Sequence, residues 1–116
     1  MNSEAGEQVR LHQWLRRNGV LHCHVPNGGW RDRAEAAQFR GMGVSAGVPD
    51  LLIFDAPPAQ RGKVGVALEL KRVGGKPPTE AQRQWLSALA ERGWVVVVGY
   101  GFSDAKDKLT ALGYGG

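Results

Sequence analysis

The chain has 116 residues, enough for one compact domain with a single core and too few for two. Hydrophobic residues make up 42% and charged residues 22%, the balance of a folded globular protein, and no apolar run approaches the ~20 residues of a membrane helix. Lysine and arginine number 15 against 11 acidic residues, a net charge of +4 that favours a polyanionic partner, while a single cysteine, Cys23, excludes an intrachain disulfide and a CxxC metal clip.

The N-terminal residues MNSEAGEQVR lack the basic-then-apolar pattern of a secretion signal, so a cytoplasmic protein with no membrane partner is expected. A first helix is predicted from about Ser3, its cap, to Asn18. Val9, Leu11, Trp14 and Leu15 recur at helical spacing, and Asn18-Gly19 supplies the stop. VLHCHV (20–25) alternates like a short strand that ends at Pro26. PNGGWRDR (26–33) is a turn-rich, arginine-bearing loop, and a short helix follows over 34–42.

GVPDLLIFD (47–55) reads as a turn feeding a buried strand, and 64–71 as the next strand after a proline-rich loop. RVGGKPP (72–78) is a basic loop. Thr79 caps a helix over 80–92, which Gly93 ends. WVVVVG (94–99) is a continuous apolar run, the pattern of a strand covered on both faces, and a last helix is predicted over about 103–112. No repeat, low-complexity tract or linker divides the chain, so 1–116 is expected to be one domain. The fold class is α/β, a mixed sheet flanked by helices, with strands 64–71 and 94–99 parallel across the intervening helix.

The chemistry concentrates at VALELK (66–71). Residues two apart on a strand share a face, so Glu69 and Lys71 project together while Leu68 and Leu70 face a core. Alone, such a pair reads as an ordinary charged surface. Asp50, however, opens the preceding strand, and an antiparallel hairpin brings the start of one strand to the end of the next. Two carboxylates at one point repel unless a proton or a divalent cation sits between them. Mg²⁺ or Mn²⁺, which take oxygen ligands, would lower the pKa of a bound water there, and Lys71 would stabilise negative charge on a phosphodiester.

The elements VPD (48–50) and LELK (68–71) resemble the PD-(D/E)xK nuclease signature. The wider order is similar to the VRR-NUC (virus-type replication-repair nuclease) domain, including its small standalone phage and bacterial members. It comprises Glu4 and Gln8 on the first helix, HVPNGG (24–29), GVPDLLIF (47–54), ALELK (67–71), TEAQRQWL (79–86) and GWVVVV (93–98). The resemblance implies a restriction-endonuclease-like core. It implies Asp50, Glu69 and the Leu70 carbonyl as metal ligands, Lys71 as the catalytic lysine, and Gln82 as the helix glutamine that positions water, lysine or phosphate. It further implies Glu4 as the N-terminal acidic ligand, with Glu7, one turn along, as the competing assignment. A homodimeric endonuclease that cuts branched DNA such as four-way junctions is the activity implied. The competing readings are a catalytically inert DNA-binding domain and a nuclease of ordinary duplex.

His24, Asn27, Arg31, Arg33, Arg72 and Lys76 border this site and are candidate DNA contacts. His22 and His24 share a strand face but lack the ligand count of a zinc site. Gly99-Tyr-Gly101 lacks the third glycine of a dinucleotide loop, and Trp85 and Trp94 read as core or interface residues.

Overall fold

The computed structural model describes residues 3–26 and 33–115. In chain order these form α1 (Glu4–Arg17), β1 (His22–His24), α2 (Arg33–Gly41), β2 (Leu51–Ile53), β3 (Val66–Lys71), α3 (Glu80–Glu91), β4 (Val95–Tyr100) and α4 (Phe102–Ala111). The strands make one sheet in the order β1-β2-β3-β4. The first two pairings are antiparallel and β3 runs parallel to β4. The mixed sheet, the β2–β3 hairpin and the parallel β3–β4 pair are those expected from the sequence, and the fold adds β1 at the far edge on β2.

Helices α1 and α4 cover one face of the sheet. Leu11, Trp14 and Leu15 of α1 lie on one stripe and meet Ala105 and Leu109 of α4, Val66, Leu68 and Leu70 of β3, and Leu51 and Ile53 of β2. Each fully buried leucine contributes about 1.5–3 kcal/mol by leaving water, and these contacts make the main core. Helix α1 begins where Ser3 accepts the Gly6 N–H at 3.0 Å. Helix α4 has no such side chain at its own N-cap, Gly101. Glu7 of α1 fills the role from outside: it is buried, and its Oε2 accepts the Phe102 N–H at 2.7 Å. Gly101 has φ +89°, and a Cβ there would come within 2.6 Å of Val73, so glycine is required where the chain turns into α4.

Helix α3 covers the opposite face over β3 and β4. Thr79 accepts the Gln82 N–H at 3.2 Å and the Gln82 side chain accepts the Thr79 N–H at 2.8 Å, a complete capping box. One expectation holds in part. α4 and α3 pack on the two faces of β4, as its apolar run predicts, but β4 is also an edge strand and Val96 is 36% exposed. The more deeply buried strand is β3, where both Ala67 and Glu69 are buried beside the leucines. An edge strand has a strand neighbour on one side only, so its outer flank stays open even with helices on both faces. No described helix is long and apolar enough to cross a membrane.

Candidate active site

The register Leu51↔Leu68 places Asp50, just before β2, beside Glu69 of β3. The turn into β2 is held against α3 at Gly47, which has φ +87° and where a Cβ would lie 2.6 Å from the Ala81 carbonyl carbon. Asp50 is therefore fixed relative to both β3 and the first turn of α3. Its Oδ2 accepts the Leu70 N–H at 2.7 Å, and its carboxyl hydrogen-bonds that of Glu69.

Glu69 is only 3% exposed. Its Oε1 accepts Gln82 Nε2 at 3.1 Å, whereas Oε2 is buried with no partner among the described residues. Lys71 Nζ donates to Gln82 Oε1 at 2.8 Å, the same oxygen that receives the Thr79 N–H. Gln82 thus links the carboxyl and the ammonium of β3, and Thr79 sets its orientation. The Thr-x-x-Gln spacing is a capping-box signature; in the sequence Thr79 reads as the cap, while the positioning role of Gln82 comes from the family resemblance.

Burial, then the hydrogen bond and the charge of Asp50, push the Glu69 carboxyl up to about 9; Lys71 opposes the shift and Glu4 adds to it. A proton on Glu69 relieves the repulsion from Asp50. A cation would serve the same electrostatic need, and the orphaned Oε2 and the oxygen-only donor set fit a hard divalent ion. Among the described residues no three His, Cys, Asp or Glu side chains gather at one point. Glu4 is therefore not drawn in as a third side-chain ligand: it is exposed at the start of α1, and its charge reaches Glu69. Glu7 is spent on α4, and its Oε1 pairs with Arg10 at 3.0 Å, so of the two α1 acids it is the one committed elsewhere.

Leu70 sits between Glu69 and Lys71 with its side chain fully buried. His24 reaches the site's edge, its Nδ1 lying 2.8 Å from the Asp50 carbonyl oxygen. A carbonyl only accepts, so Nδ1 carries the hydrogen and Nε2 is the nitrogen left over. Arg72 and Lys76 are exposed on the loop after β3, and Arg33 is exposed at the start of α2. Asn27 and Arg31 lie outside the described residues, as does the rest of the 27–32 segment.

The model of the VRR-NUC domain family matches residues 2–103. A solved structure titled "VRR_NUC domain protein" is similar to this chain with a TM-score of 0.79 at 28% identity, over 97% of this chain and 88% of that one. Another, titled "VRR_NUC domain", shares the fold with a TM-score of 0.62 at 22% identity, over 96% and 97%. No match was found among curated proteins.

Proposed function

The chain belongs to the VRR-NUC domain family, a nuclease-type domain, and from that premise we propose that it is a divalent-metal-dependent endonuclease hydrolysing DNA phosphodiesters. The observation that carries the reading is the convergence of Asp50, Glu69, Lys71 and Gln82, with a buried glutamate oxygen left without a partner. A buried, unsatisfied carboxyl costs stability unless something uses it.

Asp50, Glu69 and the Leu70 carbonyl would hold Mg²⁺ or Mn²⁺, and the charge of Glu4 on α1, which reaches Glu69, would add to the attraction. The ion, when bound, supplies an acidified water and charge neutralisation at the phosphate. Glu69, whose carboxyl burial and Asp50 push up to about 9, would serve as a ligand in its deprotonated form. Lys71, held by Gln82, stabilises the negative charge that grows on the phosphoryl oxygens. Gln82, locked by the capping box, keeps the lysine and Glu69 at a fixed spacing. His24, Asn27, Arg31, Arg33, Arg72 and Lys76 contact the sugar–phosphate backbone.

The substrate we favour is branched DNA such as a four-way junction, cut by a homodimer. Two active sites related by a two-fold axis match a two-fold junction. Leu21 and Phe54 are hydrogen-bonded neighbours, 63% and 47% exposed, and offer apolar surface for a second copy.

The test is cleavage of labelled four-way junction, flap and linear duplex in Mg²⁺, Mn²⁺ or EDTA, with Asp50→Ala and Lys71→Ala alongside. Cutting of the junction that disappears in EDTA and in both variants, with DNA binding retained, is the expected result. Binding without cleavage in any metal makes the domain an inert DNA binder, and equal cutting of linear duplex removes the junction preference.

A further inference from the structure

The Gly99-Tyr100-Gly101 step at the end of β4 lacks the spacing of a dinucleotide loop, and packing accounts for its two glycines. A Cβ on Gly99 would lie 2.7 Å from that of Ala105, and Gly101 is the turn into α4. Gly99 therefore faces α4, and alternation along β4 turns Tyr100 to the opposite face. The register sets Tyr100 beside Lys71 on the neighbouring strand, about 4.8 Å away across the ladder. Paired residues of adjacent strands share a face, so Tyr100 stands on the face of Glu69 and Lys71.

Its backbone holds Tyr100 in that position. The Tyr100 N–H donates to Asp104 Oδ2 at 2.9 Å, and the next N–H, of Gly101, donates to the Lys71 carbonyl at 2.7 Å. Asp104 also pairs with Lys108 at 2.9 Å, so that carboxylate is committed to α4 and the strand end. The basic loop after β3 closes over the same corner. There the Gly75 N–H donates to the Arg72 carbonyl at 2.9 Å in a tight turn, and Val73 lies against Gly101. Tyr100 is half-buried, yet its hydroxyl makes no hydrogen bond among the described residues. Nor is it one of the buried atoms left without a partner, so it reaches water.

We infer that the Tyr100 hydroxyl donates a hydrogen bond to a phosphate oxygen of the DNA strand, at the phosphate flanking the one that is cut. The inference rests on the nuclease reading for the identity of the ligand. Strand order fixes the side: Asp50 precedes β2 on one flank of β3, and Tyr100 belongs to β4 on the other. The carboxyl pair that marks the reacting phosphate lies on the β2 flank. A strand laid across Lys71 toward β4 brings its next phosphate to the hydroxyl. Phosphate oxygens only accept, and a phenol O–H donates to them without any change of charge. With Arg72 and Lys76 exposed on the adjoining loop, the corner combines cations that attract the backbone with one neutral donor that positions it.

The experiment uses Tyr100→Phe, which keeps the ring and removes only the oxygen. Because that oxygen has no protein partner among the described residues, the melting temperature is expected to be unchanged. Binding of a labelled four-way junction in EDTA is expected to weaken about three- to tenfold, the loss of one hydrogen bond. The slope of log K against log salt is expected to stay the same, because a neutral donor displaces no counterion. Arg72→Ala, by contrast, should reduce that slope by about 0.7–0.9. In Mg²⁺, Tyr100→Phe should raise KM by the same factor as it weakens binding and leave kcat unchanged.

Equal binding by wild type and Tyr100→Phe overturns the contact, and if the wild type still cuts, the nuclease reading stands without it. A lowered kcat with binding intact also overturns it, since the hydroxyl would then act on the reacting atoms. A fall of several degrees in melting temperature overturns it as well, by making the hydroxyl structural. Weaker binding by Tyr100→Phe at unchanged melting, with no cutting by either protein in Mg²⁺, upholds the contact and sinks the nuclease reading alone.

Discussion

The two faces of β3 are almost equally buried and chemically opposite. On one, Val66, Leu68 and Leu70 meet the leucines of α1 and α4 and every atom is satisfied by contact. On the other, Ala67 gives way to Glu69 and Lys71, and α3 covers them with a glutamine instead of a leucine. The first face supplies stability. The second gives some of it up, because a buried carboxyl with an orphaned oxygen and a carboxyl neighbour is held there at a cost in free energy. The comparison shows how a chain of this size can carry a charged site: one strand is anchored so firmly on one side that the other side can be strained.

The comparison breaks most severely if the apolar face is not the stabilising one. Leu68→Ala is expected to cost about 2–5 kcal/mol in urea unfolding, since a fully buried leucine is replaced by a cavity. A loss below 1 kcal/mol would remove the apolar face from its role as anchor. On the polar face the effect should fall on chemistry. Lys71→Ala is expected to slow cleavage about 10²–10³-fold with little change in the melting temperature. A large drop in melting with intact cutting would make Lys71 a structural residue.

The strain on the polar face can be read from pH. The fold raises the Glu69 carboxyl from 4.5 to about 9, so it favours the protonated form. The stability this confers is complete below the unfolded value and is lost as pH rises through the window up to about 9. Metal-free protein is therefore expected to melt at progressively lower temperature from pH 5 to 9. Glu69→Gln should flatten that decline, and Mg²⁺ should relieve it in the wild type. A melting temperature that climbs over this range would show that the pair is not held by a proton.

The smallest effect separates the two acids of α1. Glu7→Ala removes the cap of α4 and should cost about 0.5–2 kcal/mol, whereas Glu4→Ala should leave stability unchanged and weaken Mg²⁺ binding in calorimetry. The reverse pattern would exchange their roles.

Much of this was legible before the fold. The helices declare themselves by spacing and caps, as Ser3 and Thr79 show, and the alternation of VALELK separates its faces without any tertiary information. Asp50 could be placed near Glu69 from hairpin logic alone, and the register bears that out. The apolar run of β4 reported its helix-covered faces but not its place at the sheet edge, because hydrophobic neighbours do not say how many strands flank a segment.

Local sequence determined which segments form helices and strands and which residue types carry charge, because those preferences act over a few bonds. It could not separate Glu4 from Glu7, which lie on the same helix with the same chemistry. Only the fold engages one of them, 95 residues away, where the Phe102 N–H needs an acceptor and Glu7 is the acid that α1 brings to it. The His12–His22 hydrogen bond is likewise decided by tertiary structure, since it exists only once α1 and β1 are packed together.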